Sequence, residues 1–117
     1  LSALPAVQAH LADAAMALAA LGPRVVAVKL GAEGAMVAPA AGELIRVPAL
    51  PVKPLDTTGA GDSFDAGFLA GWLGGRSLVD CLSLGAVCGA LSTLDLGGTA
   101  AQPTMDEALA ALQGWSR

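Results

Sequence analysis

The chain has 117 residues, 55% hydrophobic and 14% charged, with six Lys and Arg against ten Asp and Glu for a formal net charge of -4. That length suits one domain with a sizeable core, and the apolar excess excludes a disordered chain. A basic cluster is lacking and the aromatics are two Phe and two Trp, which excludes a nucleic-acid surface, and no stretch approaches the roughly 18 apolar residues of a membrane span.

In chain order, Leu1 to Leu21 places Leu4, Val7, Leu11, Ala14, Ala15, Leu18 and Leu21 at helical spacing, with Pro5 in the first turn and Gly22-Pro23 as a stop. This predicts an amphipathic helix with His10 on its surface. Lacking a basic end, the segment is a poor secretory signal. Val25 to Leu30 is a β-branched run of strand length, followed by Gly31-Ala32-Glu33-Gly34 and a second short strand, Ala35 to Ala38. A third strand is expected at Leu44 to Val47, and the three prolines between Pro48 and Pro54 predict an extended edge or connecting segment.

From Asp56 the chain reads DTTGAGDSFDAGFLAGWLGG. A loop at Asp56 to Thr58 and a helix from about Ala60 to Leu73 are expected, since Phe64, Phe68, Leu69 and Trp72 recur at helical intervals. Ser77 with Asp80 opens a second helix, Leu78 to about Thr93, whose Gly85 and Gly89 imply close packing against a neighbour. Cys81 and Cys88 share one face of it and are read as reduced core thiols of a cytoplasmic protein, with no metal-site spacing. After a loop from Asp95 to Pro103, Thr104 with Glu107 forms a capping box for a last helix, Met105 to Gln113. Helix, three or four strands and then three helices suit a sheet covered by helices, an α/β arrangement.

Chemistry concentrates at Thr57-Thr58-Gly59-Ala60-Gly61-Asp62. Small residues before a helix let a ligand approach the backbone and leave the first N–H groups unpaired, where the dipole adds partial positive charge. Glycine in a helix costs about 1 kcal/mol relative to alanine, so their clustering beside Asp62 points to a ligand rather than to dipole complementarity alone. With a nucleoside triphosphate as donor and an alcohol as acceptor, Asp62 would take the hydroxyl proton while the amides of Gly59, Ala60 and Gly61 hold the transferring group. A weak base suffices, because phosphoryl transfer chiefly demands positioning and charge stabilisation. Asp65 is read as a solvated or capping carboxylate, since two anions beside an anion site would repel the substrate. The loop is neither a Walker A string nor a dinucleotide fingerprint.

The run DTTGAGDSFDAGFLAG, Asp56 to Gly71, resembles the second signature of the ribokinase (PfkB) family of carbohydrate kinases throughout its length. VVAVKLGAEGAMV looks like that family's strand and nucleotide-lining turn, and LSLGAVCGALST with Gly98 and Pro103-Thr104 looks like its closing helices. The resemblance implies a ribokinase-like, Rossmann-like three-layer α/β/α fold, of which residues 1–117 would be the carboxy-terminal nucleotide-binding and catalytic part. It implies ATP-dependent phosphorylation of a sugar hydroxyl with magnesium on the phosphates, Asp62 as base, and Gly59, Ala60 and Gly61 as anion hole. It also implies ATP contacts from Lys29, Gly31, Gly34 and Gly61, with Ala86 where many relatives carry an Asn near the base. Asp56 and the Thr58 carbonyl match positions that in many relatives hold a monovalent cation, usually potassium, with further carbonyls from the region of Ser92 to Gly98; from the residues alone, Asp56 equally caps the loop. The loop Asp95 to Gly98 is slightly longer than in the commonest members.

The family's sugar pocket, its lid, through which members often dimerise, and its Asn-x-x-Glu segment have no counterpart here, so these residues alone are expected to be inactive. The alternatives are a nucleotide-binding or regulatory module of the same fold without transfer activity, or a kinase of a vitamin-precursor alcohol. Each has ATP and a small molecule as partners, and neither a nucleic acid nor a membrane.

Overall fold

Every side chain from Ala35 to Ala38 is buried on one or other side of a strand, which places that strand at the centre of the molecule. In the computed structural model, which describes residues 6–115, the elements run α1 (Ala6–Ala19), β1 (Val25–Lys29), a 3-10 turn (Gly31–Glu33), β2 (Ala35–Pro39), β3 (Ile45–Val47), α2 (Ala60–Leu73), α3 (Leu78–Ser92) and α4 (Met105–Gln113). The expected Leu4 and Pro5 positions of the first helix lie outside the described residues. The strands form one antiparallel sheet in the order β1-β2-β3, with Lys29 opposite Ala35 and Met36 opposite Arg46.

The period-2 alternation of β2 divides its side chains between two layers. Met36 and Ala38 meet Ala12, Ala15 and Ala19 of α1 together with Leu44. Ala35 and Val37, with Val47, meet Phe64 and Phe68 of α2 and Cys81 and Leu82 of α3. Helix, sheet and helices therefore stack as three layers, as expected for this part of an α/β/α fold. Helix α4 extends the second helical layer by packing Ala108 and Leu112 against Leu84 and Val87 of α3. The Pro48 to Pro54 segment takes no regular structure, in keeping with its prolines.

The α2–α3 contact explains the glycines. A Cβ on Gly67 would lie 2.6 Å from the Leu84 carbonyl and 2.8 Å from the Cys88 sulfur, and one on Gly85 would lie 2.9 Å from the Phe64 ring. The two helix axes thus approach until only hydrogen fits between them. Helix starts follow their caps: the Ser77 hydroxyl accepts from the Asp80 N–H, and Thr104 and Glu107 exchange reciprocal bonds. The capping-box bonds to the backbone and hydroxyl of Thr104 hold the Glu107 carboxyl below its ordinary pKa. Among the described residues no helix is long and apolar enough to cross a membrane.

Candidate functional site

The loop before α2 is pinned by one carbonyl and one carboxylate. The N–H groups of Leu55 and Asp56 both donate to the Thr93 carbonyl, at 2.7 and 3.0 Å. The Asp56 carboxylate accepts the N–H of Thr58 on one oxygen and that of Gly97 on the other, each at 2.9 Å. The Thr58 hydroxyl and then these two amides stabilise the anion, lowering the Asp56 pKa to about 2. Gly59 and Gly98 take φ values of +77° and +82°. A Cβ on Gly59 would stand 3.1 Å from the Gly98 carbonyl, and one on Gly98 would stand 2.7 Å from the Thr58 carbonyl. Two backbones cross here, and glycine is required on both.

Gly59 is the N-cap of α2 and no side chain caps the helix. The Ser63 N–H makes the first helical bond, to the Gly59 carbonyl at 3.0 Å. The Ala60 N–H is taken up by the Thr57 carbonyl at 3.2 Å, because the chain turns tightly into the helix. Among the described residues the amides of Gly59, Gly61 and Asp62 have no backbone acceptor, so these three are open donors here. The Asp62 side chain is exposed in the first turn, with no hydrogen bond or ion pair among the described residues.

Asp65 is exposed on α2. Its carboxylate binds the Lys29 ammonium at 3.0 Å, and Lys29 further donates to the Gly61 carbonyl at 3.4 Å. Both lie on the α2–α3 side of the sheet, Lys29 because it pairs with Ala35, which faces those helices. A cation is thereby held against the first turn of a helix whose positive dipole end it would otherwise avoid.

A cavity of about 450 Å³ opens between the 3-10 turn, the proline-rich segment, the start of α2 and one side of α3. Lys29, Gly31, Gly34, Gly61 and Ala86, the residues expected to face a nucleotide, all line it. Gly34 has φ +98°, and a Cβ there would overlap the carbonyl of Val47 and the backbone of Pro48, so the turn seats on the strand end. The volume falls in the range of small-molecule sites, and the wall is largely apolar. Leu50, Pro51, Val52 and Phe64 supply much of that apolar wall. The sequence predicts an extended edge or connecting segment for the first three and no part in a site, although a proline-rich stretch of fixed, low-entropy backbone is a signal for one.

Of the residues expected at a cation, Asp56, Thr58 and Gly98 meet at the backbone crossing. Ser92 is buried, and its hydroxyl donates to the Gly89 carbonyl at 2.8 Å. A carboxylate anionic at neutral pH beside two backbone carbonyls is a hard oxygen set that fits an alkali cation. Among the described residues no group of three or more His, Cys, Asp or Glu side chains could hold a metal.

The family model for pfkB family carbohydrate kinases matches residues 2–105. An ATP-dependent ribose-1-phosphate kinase of Halopiger xanaduensis is 42% identical over 89 residues, covering 76% of this chain and 29% of its own. Arabidopsis thaliana ribokinase, in a structure with ribose and ATP, superposes with a TM-score of 0.74 at 32% identity, over 80% of this chain and 30% of that one. Phosphofructokinase-2 of Escherichia coli, in complex with potassium, superposes with a TM-score of 0.78 at 27% identity, over 89% and 33%. The chain spans 26 to 29% of the length of three curated relatives that it matches.

Proposed function

The chain belongs to the pfkB family of carbohydrate kinases, and from that premise we propose that it serves ATP-dependent phosphoryl transfer to a sugar hydroxyl. The observation that carries this reading is the exposed, unpartnered Asp62 carboxylate directly following open amides at the rim of an apolar cavity. The cavity accepts the flat, apolar part of the nucleotide against Ala86 and Leu50, and directs its phosphates toward Gly61 and Lys29. Charge growing on the transferred group meets the amides of Gly59, Gly61 and Asp62, already oriented by the turn and needing no reorganisation. Asp62 orients the acceptor hydroxyl and takes its proton as the new bond forms.

Asp56, Thr58 and Gly98 would hold potassium behind those amides; when bound it supplies fixed positive charge next to the developing anion. Magnesium, when bound, would supply neutralisation of the phosphate oxygens. The test is ADP release by the full-length protein across a panel of sugars, with and without Asp62→Asn. The expected outcome is a loss of kcat of about 10² to 10⁴-fold, with ATP binding retained. Unchanged turnover in the variant would remove Asp62 as the base. A wild-type protein that binds ATP yet phosphorylates no sugar or related alcohol would instead be a nucleotide-binding module.

A further inference from the structure

Gln8 is 5% exposed, an unusual place for an amide unless both its ends are satisfied. Its oxygen accepts from the Arg46 Nε at 2.9 Å, and its NH₂ donates to the Glu33 carboxylate at 3.3 Å. Arg46 then donates a second bond, at 3.0 Å, to the Glu33 backbone carbonyl. The ring closes in one amide orientation only, because the reverse would set donor against guanidinium and oxygen against carboxylate. It joins α1, β3 and the 3-10 turn on the sheet face remote from the cavity, since Arg46 pairs with Met36, which faces α1. The turn itself reaches through to the other face, where Gly31, Ala32 and Gly34 line the cavity.

We infer that Gln8 and Arg46 are positioning residues for the nucleotide, acting through Glu33 to hold the Gly31–Gly34 turn in its binding shape. The inference rests on the cavity being the nucleotide site. The base of the turn is fixed by the Leu30 N–H to Gly34 bond at 2.8 Å and by the seat of Gly34 on Val47. Residues 31–33 are exposed, however, and their own bonds are Glu33 N–H to Leu30 and Gly34 N–H to Gly31, each at 3.1 Å, so the ring through Glu33 is what ties down the exposed part. Freed from the ring, it would sample other shapes, and nucleotide would bind only to the fraction that remains competent. The face carrying Asp62 is untouched, so affinity for ATP and not the chemical step should respond.

The experiment uses the full-length protein with Arg46→Lys, which keeps charge and stem but loses the two-bond fork, and with Gln8→Ala. Both variants should lose amide-exchange protection at Glu33 and Gly34. KM and Kd for ATP should rise about 5- to 20-fold, within the usual span of coupling between sites, while kcat and the sugar KM stay within about twofold. Gln8→Glu should behave like Gln8→Ala by setting two carboxylates together, and adding Glu33→Gln should restore ATP affinity by returning a donor. Should Gln8→Ala fail to fold, Arg46→Lys and the Gln8→Glu, Glu33→Gln pair still decide the matter. Unchanged protection at the turn, lost protection with unchanged ATP affinity, or a fall in kcat without a change in KM for ATP would each overturn the inference. A wild-type protein that binds no ATP would overturn the kinase reading and this inference together, a result recognised before any variant is made.

Discussion

Asp56 has a pH dependence with a definite sign. Its carboxyl falls from the ordinary 3.8 to about 2 in the folded chain, so its hold on the loop is complete above about pH 4 and is lost as the pH falls toward 2. The Gly97 amide, bonded to the other carboxylate oxygen, should therefore shift in NMR spectra and lose exchange protection across that window. Asp56→Asn should flatten the response, and a Gly97 amide indifferent to pH in the wild type would show that the bond does not persist in solution. The same residue marks what was legible at this scale. Asp56, Gly59, Gly61 and Asp62 could be singled out because their chemistry is local, within one short run. The Gln8 ring could not, since its partners lie 25 and 38 residues away and become neighbours only when the sheet forms. Nor could the engaged Ala60 amide, which depends on how tightly the chain turns rather than on which residues turn.

The helices test the division between packing glycines and site glycines. Gly67→Ala drives a methyl into the Leu84 carbonyl and the Cys88 sulfur, with backbone on one side and little to yield. It should cost about 1 to 3 kcal/mol, seen as a lower Tm. Gly61→Ala meets only the Lys29 ammonium, 3.3 Å away, at the end of a flexible side chain. It should leave Tm unchanged or raised, by up to about 1 kcal/mol of helix propensity, while displacing Lys29 and weakening ATP binding. Equal losses of stability in the two variants would show that Gly61 serves packing. Element boundaries from β1 to α4 were legible to within a residue or two, because caps and glycines announce them. The wall contributed by Leu50, Pro51 and Val52 was not, since a segment without periodicity carries no sign of what it faces.

For the whole molecule, large apolar side chains stand exposed on several elements, among them Val7 and Leu21 near the ends of α1 and Leu69 and Leu73 on α2. Such surface normally meets a partner or further chain, and the curated relatives are more than three times as long as the matched span. We propose that in the full protein these faces are covered and that the sugar is held by residues outside this chain. Purified alone, the 117 residues should self-associate, which light scattering would register, and release no ADP with any sugar. A monomeric, catalytically competent 117-residue protein would contradict this. The three-layer arrangement was legible in the order of elements, whereas the exposed faces look in sequence like generous core. Cys88 adds a practical consequence of the close α2–α3 approach. Its sulfur lies where Gly67 leaves room, and burial pushes the thiols of both Cys88 and Cys81 up in pKa, so neither reacts readily while the helices stay together. The rate at which a thiol reagent labels them is therefore a native clock for the parting of the two helices, needing no introduced probe, and bound nucleotide should slow it.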